Sequence, residues 1–207
     1  MDITPDSATK ALKDVESISR KASLRERFKG ADACYVIWGI VWIVGFVVQQ
    51  LAATGFGPGS PAAWAGPGVW SLLVPVGIIV TLIIVRHRPI VRSPLGWRVG
   101  ILWFVVYAYV WAAFLFFYPL VMWDKIDEPF GMRALTAFGA LVPMFVYVVM
   151  GLLERDTYML FLGLGVTVAT VVGFFAVSEY FYLWMAAFGG GALLATGLVV
   201  RRKWATQ

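Results

Sequence analysis

Six uninterrupted apolar stretches follow one another after residue 32, and short polar or Gly- and Pro-rich segments separate them. No charged residue falls inside any stretch. Each has roughly 18 residues or more, the length that a helix needs to cross the ~30 Å hydrocarbon core of a bilayer. Barrel strands would instead alternate polar and apolar residues over about ten positions. The pattern predicts an all-α polytopic membrane protein with six transmembrane helices, at residues 33–51, 68–85, 99–121, 134–153, 157–177 and 180–200.

The positive charges lie almost entirely on one side of these spans. Of the 17 Lys and Arg residues, only Lys125 and Arg133 belong to the other side. Lys and Arg in short loops stay on the cytoplasmic side during insertion. Both termini are therefore predicted to be cytoplasmic, and we expect the cell inner membrane as the location. The predicted organisation is a cytoplasmic arm at 1–32, a six-helix transmembrane domain at 33–200 and a cytoplasmic basic tail at 201–207.

The arm carries apolar residues at helical spacing, with charged residues on the other faces. It is interpreted as a short amphipathic helix on the inner leaflet, where juxtamembrane cations are attracted to anionic lipids. The alternative is a partly ordered tail whose charges only set the orientation. The apolar positions are Ala8, Ala11, Leu12, Val15, Ile18 and Ala22.

The composition agrees with a membrane protein and excludes several activities. The chain is 60% hydrophobic and 14% charged, whereas soluble domains have about 25% charged residues. The net charge of +5 follows the topology, so no nucleic-acid partner is expected. Cys34 is the single cysteine, which excludes an intramolecular disulfide. His87, the single histidine, is flanked by arginines, so we predict no metal site and no cofactor.

Two spans carry small residues at four-residue spacing. In lipid, small residues let helix backbones approach closely, and such approach is a main cause of helix association. The two stripes are interpreted as packing surfaces between the fifth and sixth spans, with a homo-oligomer interface as the alternative. The fifth span contributes Gly165, Ala169 and Gly173, and the sixth contributes Ala187, Gly191 and Ala195.

Helix-breaking residues occur near the middle of the second, fourth and sixth spans. A proline inside a helix frees the carbonyl four residues earlier, and broken helices line the cavities of many transporters. A cavity between these three spans is thus one hypothesis, although Pro and Gly are also common in ordinary membrane helices. The candidate cavity residues are Gln49, Gln50, Ser71, Pro75, Gly139, Pro143 and Gly190.

The acidic residues lie in the arm, in the loops or at the ends of the spans. Because ion-coupled transporters place ionisable groups inside the membrane, coupled transport through a buried carboxylate is not expected. An extracytoplasmic acidic cluster could bind a cation or serve as acid and base, but a solvated loop is the simpler interpretation. The cluster consists of Asp124, Asp127, Glu128 and Glu179, with Gln50 nearby.

No motif in the chain identifies catalytic residues. The first expectation is therefore an accessory, sensory or assembly subunit that acts through helix–helix packing, with the lipid bilayer and itself or another membrane protein as partners. The first alternative is a channel or facilitator for a small neutral or lipophilic solute. The second alternative is a lipid-acting membrane enzyme that uses the acidic cluster.

Overall fold

The computed structural model describes Leu12, Val15 and residues 31–55, 65–86, 94–112, 128–154 and 156–205. These segments are helical, and no strand occurs within them. The first five long helices are α1 (Ala31–Gly55), α2 (Ala65–Arg86), α3 (Pro94–Ala112), α4 (Glu128–Glu154) and α5 (Thr157–Ala176). A sixth, composite helix, α6, consists of a 3₁₀ turn (Ser178–Tyr180), an α-helical turn (Phe181–Trp184), a π-helical segment (Met185–Gly190) and an α-helix (Gly191–Ala205).

Four of these helices are long and apolar enough to cross a membrane. They contain the segments Asp32–Thr54, Phe130–Glu154, Thr157–Ala176 and Ser178–Lys203. α2 and α3 lie where the second and third spans were predicted, but their described apolar parts, Gly68–Ile84 and Ile101–Val110, are shorter. The all-helical architecture predicted from the sequence is therefore confirmed, and by length and composition four helices among the described residues could cross a membrane. Apart from Leu12 and Val15, which are helical, and the two residues that begin α1, the predicted arm lies outside the described residues.

The prolines do not end their helices. Pro75 lies inside α2 and Pro143 inside α4. In the sixth helix the glycine run produces a π-helical segment, after which the α-helix resumes at Gly191. Membrane helices tolerate such residues because neighbouring helices and local π adjustments satisfy the freed backbone groups.

α1 is the central helix of the bundle. It packs against α2 on one side and against α6 on the other, whereas α4 packs on α5 and α3 makes its contacts with α4. α5 also contacts α6, as the tight connections between the last three helices favour. The core between them includes Phe181, Met185, Leu193, Met144 and Val166, which are almost fully buried.

A capped turn joins α4 to α5. The Asp156 Oδ1 atom accepts hydrogen bonds from the backbone amides of Tyr158 (2.9 Å) and Met159 (3.2 Å). The Asp156 amide itself donates to the Gly151 carbonyl at 2.9 Å. Because the first amides of a helix have no partner within it, this aspartate provides the acceptors that α5 needs. The Asp156 side chain is buried in this turn. α5 then runs antiparallel to α4.

α1 and α6 run antiparallel. A Cβ atom at Gly197 would lie 2.8 Å from the Asp32 carbonyl oxygen, so the end of α6 lies beside the start of α1. At the opposite end of the bundle, Gln50 of α1 bonds to the turn that begins α6. The first and last described helices thus have their outer chain ends on the same side of the bundle.

Candidate functional site

A cluster of polar side chains lies at the C-terminal end of α1. Gln49 is buried, and its Oε1 atom accepts a hydrogen bond from Trp70 Nε1 of α2 at 2.6 Å. Its Nε2 atom donates to Thr136 Oγ1 of α4 at 3.2 Å. One amide therefore bonds to two other helices. We call Gln49, Gln50, Trp70 and Thr136 the polar cluster.

The local sequence of α1 places Trp70 in this cluster. Gly45 precedes Gln49 by four residues, so the two lie on the same face of the helix. A Cβ atom at Gly45 would lie 2.7 Å from the Trp70 ring, which means that glycine provides the space for the indole. The ring also makes an edge contact with Phe46, with centroids 4.9 Å apart. This packing directs the indole N–H toward the Oε1 atom of the Gln49 side chain.

The second glutamine binds the connection between α5 and α6. Gln50 Nε2 donates to the Glu179 carbonyl oxygen at 3.0 Å. From α4, Arg133 Nη1 donates to the neighbouring Ser178 carbonyl at 2.7 Å. Both carbonyls belong to the 3₁₀ turn that begins α6, and each accepts a hydrogen bond from a side chain of another helix. The polar cluster and Arg133 thereby join α1, α2, α4 and the start of α6.

The chemistry available to the polar cluster is neutral hydrogen bonding. An amide, an indole and a hydroxyl contain no nucleophile with an adjacent base and no group that titrates near neutral pH. Gln50 Oε1 is buried without a hydrogen-bond partner, so one acceptor in the cluster is unsatisfied. The arrangement can hold helices in register, and it offers one further acceptor position.

The other candidate cavity residues do not join this cluster. Ser71 and Pro75 are exposed on α2. Gly139 is half-buried and Pro143 is buried, both in α4, whereas Gly190 lies against α1 beside Ile43. α1 packs against both α2 and α6. Within the described residues, the candidates are distributed over separate surfaces.

The acidic cluster is only partly visible. Asp124 and Asp127 lie outside the described residues, and Glu128 begins α4. Glu179 is exposed, and its backbone carbonyl is the acceptor for Gln50. In the described part of the chain, no three His, Cys, Asp or Glu side chains are grouped as metal ligands would be.

The small-residue stripe of α5 has two different halves. Toward the C-terminal end of α5 a tryptophan of α6 lies against the stripe: Trp184 Nε1 donates to the Ala169 carbonyl at 2.8 Å, and the Trp184 ring lies against Gly173. Toward the N-terminal end, Gly165 is exposed, and a Cβ atom there would meet no atom within 4 Å. The stripe therefore accepts one large side chain and otherwise remains open.

The stripe of α6 likewise makes few close contacts. Ala187 and Ala195 are exposed, and a Cβ atom at Gly191 would meet only the Ala186 carbonyl, at 3.9 Å. Ala195 and Gly165 instead line the same groove between α5 and α6, with a volume of about 610 Å³. Its remaining lining residues are Thr157, Tyr158, Phe161, Leu162, Val166, Ala192 and Thr196.

The backbones of α1 and α6 approach closely at glycines outside the predicted α6 stripe. A Cβ atom at Gly39 would lie 2.7 Å from the Leu194 backbone nitrogen, and one at Gly190 would lie 2.9 Å from the Ile43 nitrogen. Gly190 is one of the candidate cavity residues predicted from the sequence, whereas Gly39 is not among the residues predicted to have a role. The sequence signal was an isolated glycine in an apolar span, which by itself does not indicate the partner helix.

Comparison of the chain with protein-family models, with curated proteins and with solved structures finds no significant match.

Proposed function

We propose that this chain is a six-span protein of the cell inner membrane with both termini in the cytoplasm, and that it is a non-enzymatic accessory or assembly subunit. In this proposal it acts by packing its helices against a partner membrane protein or a second copy of itself. A sensory role for the same helices belongs to the same hypothesis.

The antiparallel arrangement of α1 and α6 supports an even number of crossings. The start of α1 and the end of α6 lie at one end of the bundle, as the contact between Gly197 and Asp32 shows. Four helices are long and apolar enough to span, and α2 and α3 coincide with two further apolar stretches. The cation distribution then supports a cytoplasmic position for that end.

The use of polar groups is the observation that carries the functional proposal. Polar side chains inside a membrane are costly, and they are usually kept for transport, proton transfer or packing. Here Gln49 bonds to Trp70 and Thr136, so its amide links helices to one another. All members of the polar cluster are neutral. The chemistry of the cluster is that of a helix-packing device.

α2 and α3 provide surface for a partner. An exposed apolar stripe at helical spacing runs along α2 and consists of Leu72, Val76, Ile79 and Ile83. Among the described helices, α2 packs extensively only on α1, and α3 is held mainly by α4. Such faces can lie against lipid or against another membrane helix. We assign this α2 stripe to the partner.

The other two hypotheses have weaker support. The channel hypothesis needs the broken helices to share a cavity, and α1 packs against both α2 and α6. The enzyme hypothesis depends on Asp124 and Asp127, which lie outside the described residues. Neither hypothesis has a described geometric feature in its favour.

Site-specific photocrosslinking in intact membranes tests the proposal. A photoreactive amino acid replaces Leu72 or Ile79 in the α2 stripe, and in the control it replaces Phe175, which is 79% exposed on α5. We expect a discrete protein adduct from the α2 positions and lipid adducts alone from the control. Coexpression of two differently tagged copies distinguishes a second copy from another protein. A strictly monomeric protein without adducts at either α2 position would contradict the proposal.

A further inference from the structure

The groove between α5 and α6 is a second surface, distinct from the polar cluster and from the α2 stripe. Its volume of about 610 Å³ falls within the range of roughly 300–1,000 Å³ that small-molecule pockets occupy. Phe161, Gly165 and Ala195 are exposed along it, so it opens toward the medium around the bundle. For helices in a membrane, that medium is lipid.

The groove ends where Trp184 begins to fill the space between the helices. The indole bonds to the Ala169 carbonyl and packs on Gly173, and Phe188 lies beside it with ring centroids 4.1 Å apart. A second copy packing along the whole small-residue stripe would meet this indole. A shorter and more flexible occupant would not.

The depth of the groove matches one leaflet. On α5 it extends from Thr157 to Val166, which at 1.5 Å per residue is about 14 Å. The hydrocarbon core is ~30 Å thick, so the groove covers about half of it, beginning at the end of the helix. This is the depth that an acyl chain of a phospholipid in one leaflet reaches.

The mouth of the groove holds a cation of α6. Tyr158 lines the groove, and the Lys203 Nζ atom lies 5.0 Å from the centre of the Tyr158 ring. The Asp156 carboxylate at the start of α5 already accepts hydrogen bonds from the amides of Tyr158 and Met159. A cation at the headgroup level beside an apolar groove is complementary to a lipid with a negatively charged headgroup.

We propose that this groove is a binding site for an anionic phospholipid, with one acyl chain along Gly165 and Ala195 and the headgroup phosphate beside Lys203 and Tyr158. The site goes beyond the packing function proposed above and does not depend on the partner. It also explains why small residues remain uncovered toward the N-terminal end of the α5 stripe: they provide the depth for a chain of methylene groups.

Native mass spectrometry of the detergent-solubilised full-length chain tests the site, with phosphatidylglycerol and phosphatidylcholine of identical acyl chains as the probes. We expect selective retention of phosphatidylglycerol. Lys203→Gln should weaken it roughly fivefold, the effect of one juxtamembrane cation. Gly165→Leu and Ala195→Leu should abolish retention because their side chains occupy the groove.

Two matched variants control for charge and for bulk. Arg201→Gln removes the same charge two residues away, about 200° around the helix, and should leave retention unchanged. Val171→Leu adds a methylene group to an exposed position of α5 and should also have no effect. Thermal unfolding of each variant identifies any that fails to fold.

Four results would overturn the proposal. Equal retention of the two lipids would remove the charge recognition, as would equal losses in Arg201→Gln and Lys203→Gln. Unchanged retention in folded Gly165→Leu and Ala195→Leu would remove the groove as the site. A lipid-free dimer that Gly165→Leu dissociates would show that a second copy covers this face.

Discussion

Gln49 shows how a single polar residue can be accommodated inside an apolar bundle. An amide buried without partners costs several kcal/mol in hydrocarbon, so its oxygen and its nitrogen must both find partners on other helices. Trp70 and Thr136 provide them, and Gly45 makes room for the first. The sequence marked Gln49 as a candidate cavity residue, without indicating its partners Trp70 and Thr136. Only the fold showed that they bond to one another.

A double-mutant cycle measures the strength of the Gln49–Thr136 hydrogen bond. Gln49→Leu and Thr136→Val should each lower the free energy of unfolding. Their coupling energy should be about 0.6 kcal/mol and at most ~1.7 kcal/mol, as for other interhelical hydrogen bonds in membranes. Unfolding in mixed micelles with increasing SDS, followed by circular dichroism, gives these values.

Thr167 is the matched control for this cycle. Its Oγ1 atom donates to the Gly163 carbonyl of its own helix at 2.7 Å, so it makes no link to α1. Gln49→Leu and Thr167→Val should therefore be additive within about 0.5 kcal/mol. Equal coupling in both cycles would mean that the loss at Gln49 is unrelated to the bond with Thr136.

At the scale of elements, the contact between α1 and α6 depends on glycines that face each other across the two helices. The π-helical segment Met185–Gly190 lies in this contact, and its last residue meets the α1 backbone. The glycine run was predicted to break the sixth span. It instead changes the helical hydrogen-bonding pattern for six residues and permits close approach of α1. Two small-residue stripes were assigned to packing from spacing alone, but spacing does not reveal which helix lies opposite.

Alanine at Gly39 or Gly190 should destabilise the bundle. The new Cβ atom would lie 2.7 Å from the Leu194 nitrogen in Gly39→Ala and 2.9 Å from the Ile43 nitrogen in Gly190→Ala. Backbone atoms cannot move aside as a flexible side chain can, so we expect a loss of about 1–3 kcal/mol. The same SDS titration measures it.

Gly165→Ala is the corresponding control, because a Cβ atom there meets nothing within 4 Å. Alanine favours the helix by about 1 kcal/mol over glycine, so this variant should be as stable as the original or more stable. A loss similar to that of Gly39→Ala would mean that the α5 groove is more tightly packed than these contacts indicate.

At the scale of the whole molecule, the sequence does not specify which helices pack against α1. Short connections favour contacts between successive helices, and α4, α5 and α6 follow this rule. The contact between the first helix and the last does not follow from any connection. It arises because glycines on both helices allow their backbones to meet.

Cysteine accessibility tests the six-span topology. In a Cys34→Ser background, His87→Cys and Lys125→Cys place single thiols in the first predicted inner loop and the second predicted outer loop. A membrane-impermeant maleimide on intact cells should label Lys125→Cys, whereas His87→Cys should be labelled only after permeabilisation. Labelling of both positions in intact cells would contradict an odd number of crossings between them.

The length and composition of the apolar stretches by themselves determined that this protein is helical, with helices long and apolar enough to cross a membrane, because burial of backbone polar groups in lipid leaves few alternatives to the helix. They also indicated the spans, four of which the described helices supply by length and composition. Tertiary structure decided which faces meet. In lipid all apolar faces are similarly favourable, and the choice between them depends on local fit: where a glycine admits a neighbour, where an amide finds a partner, and where a tryptophan occupies half a groove and leaves the other half open.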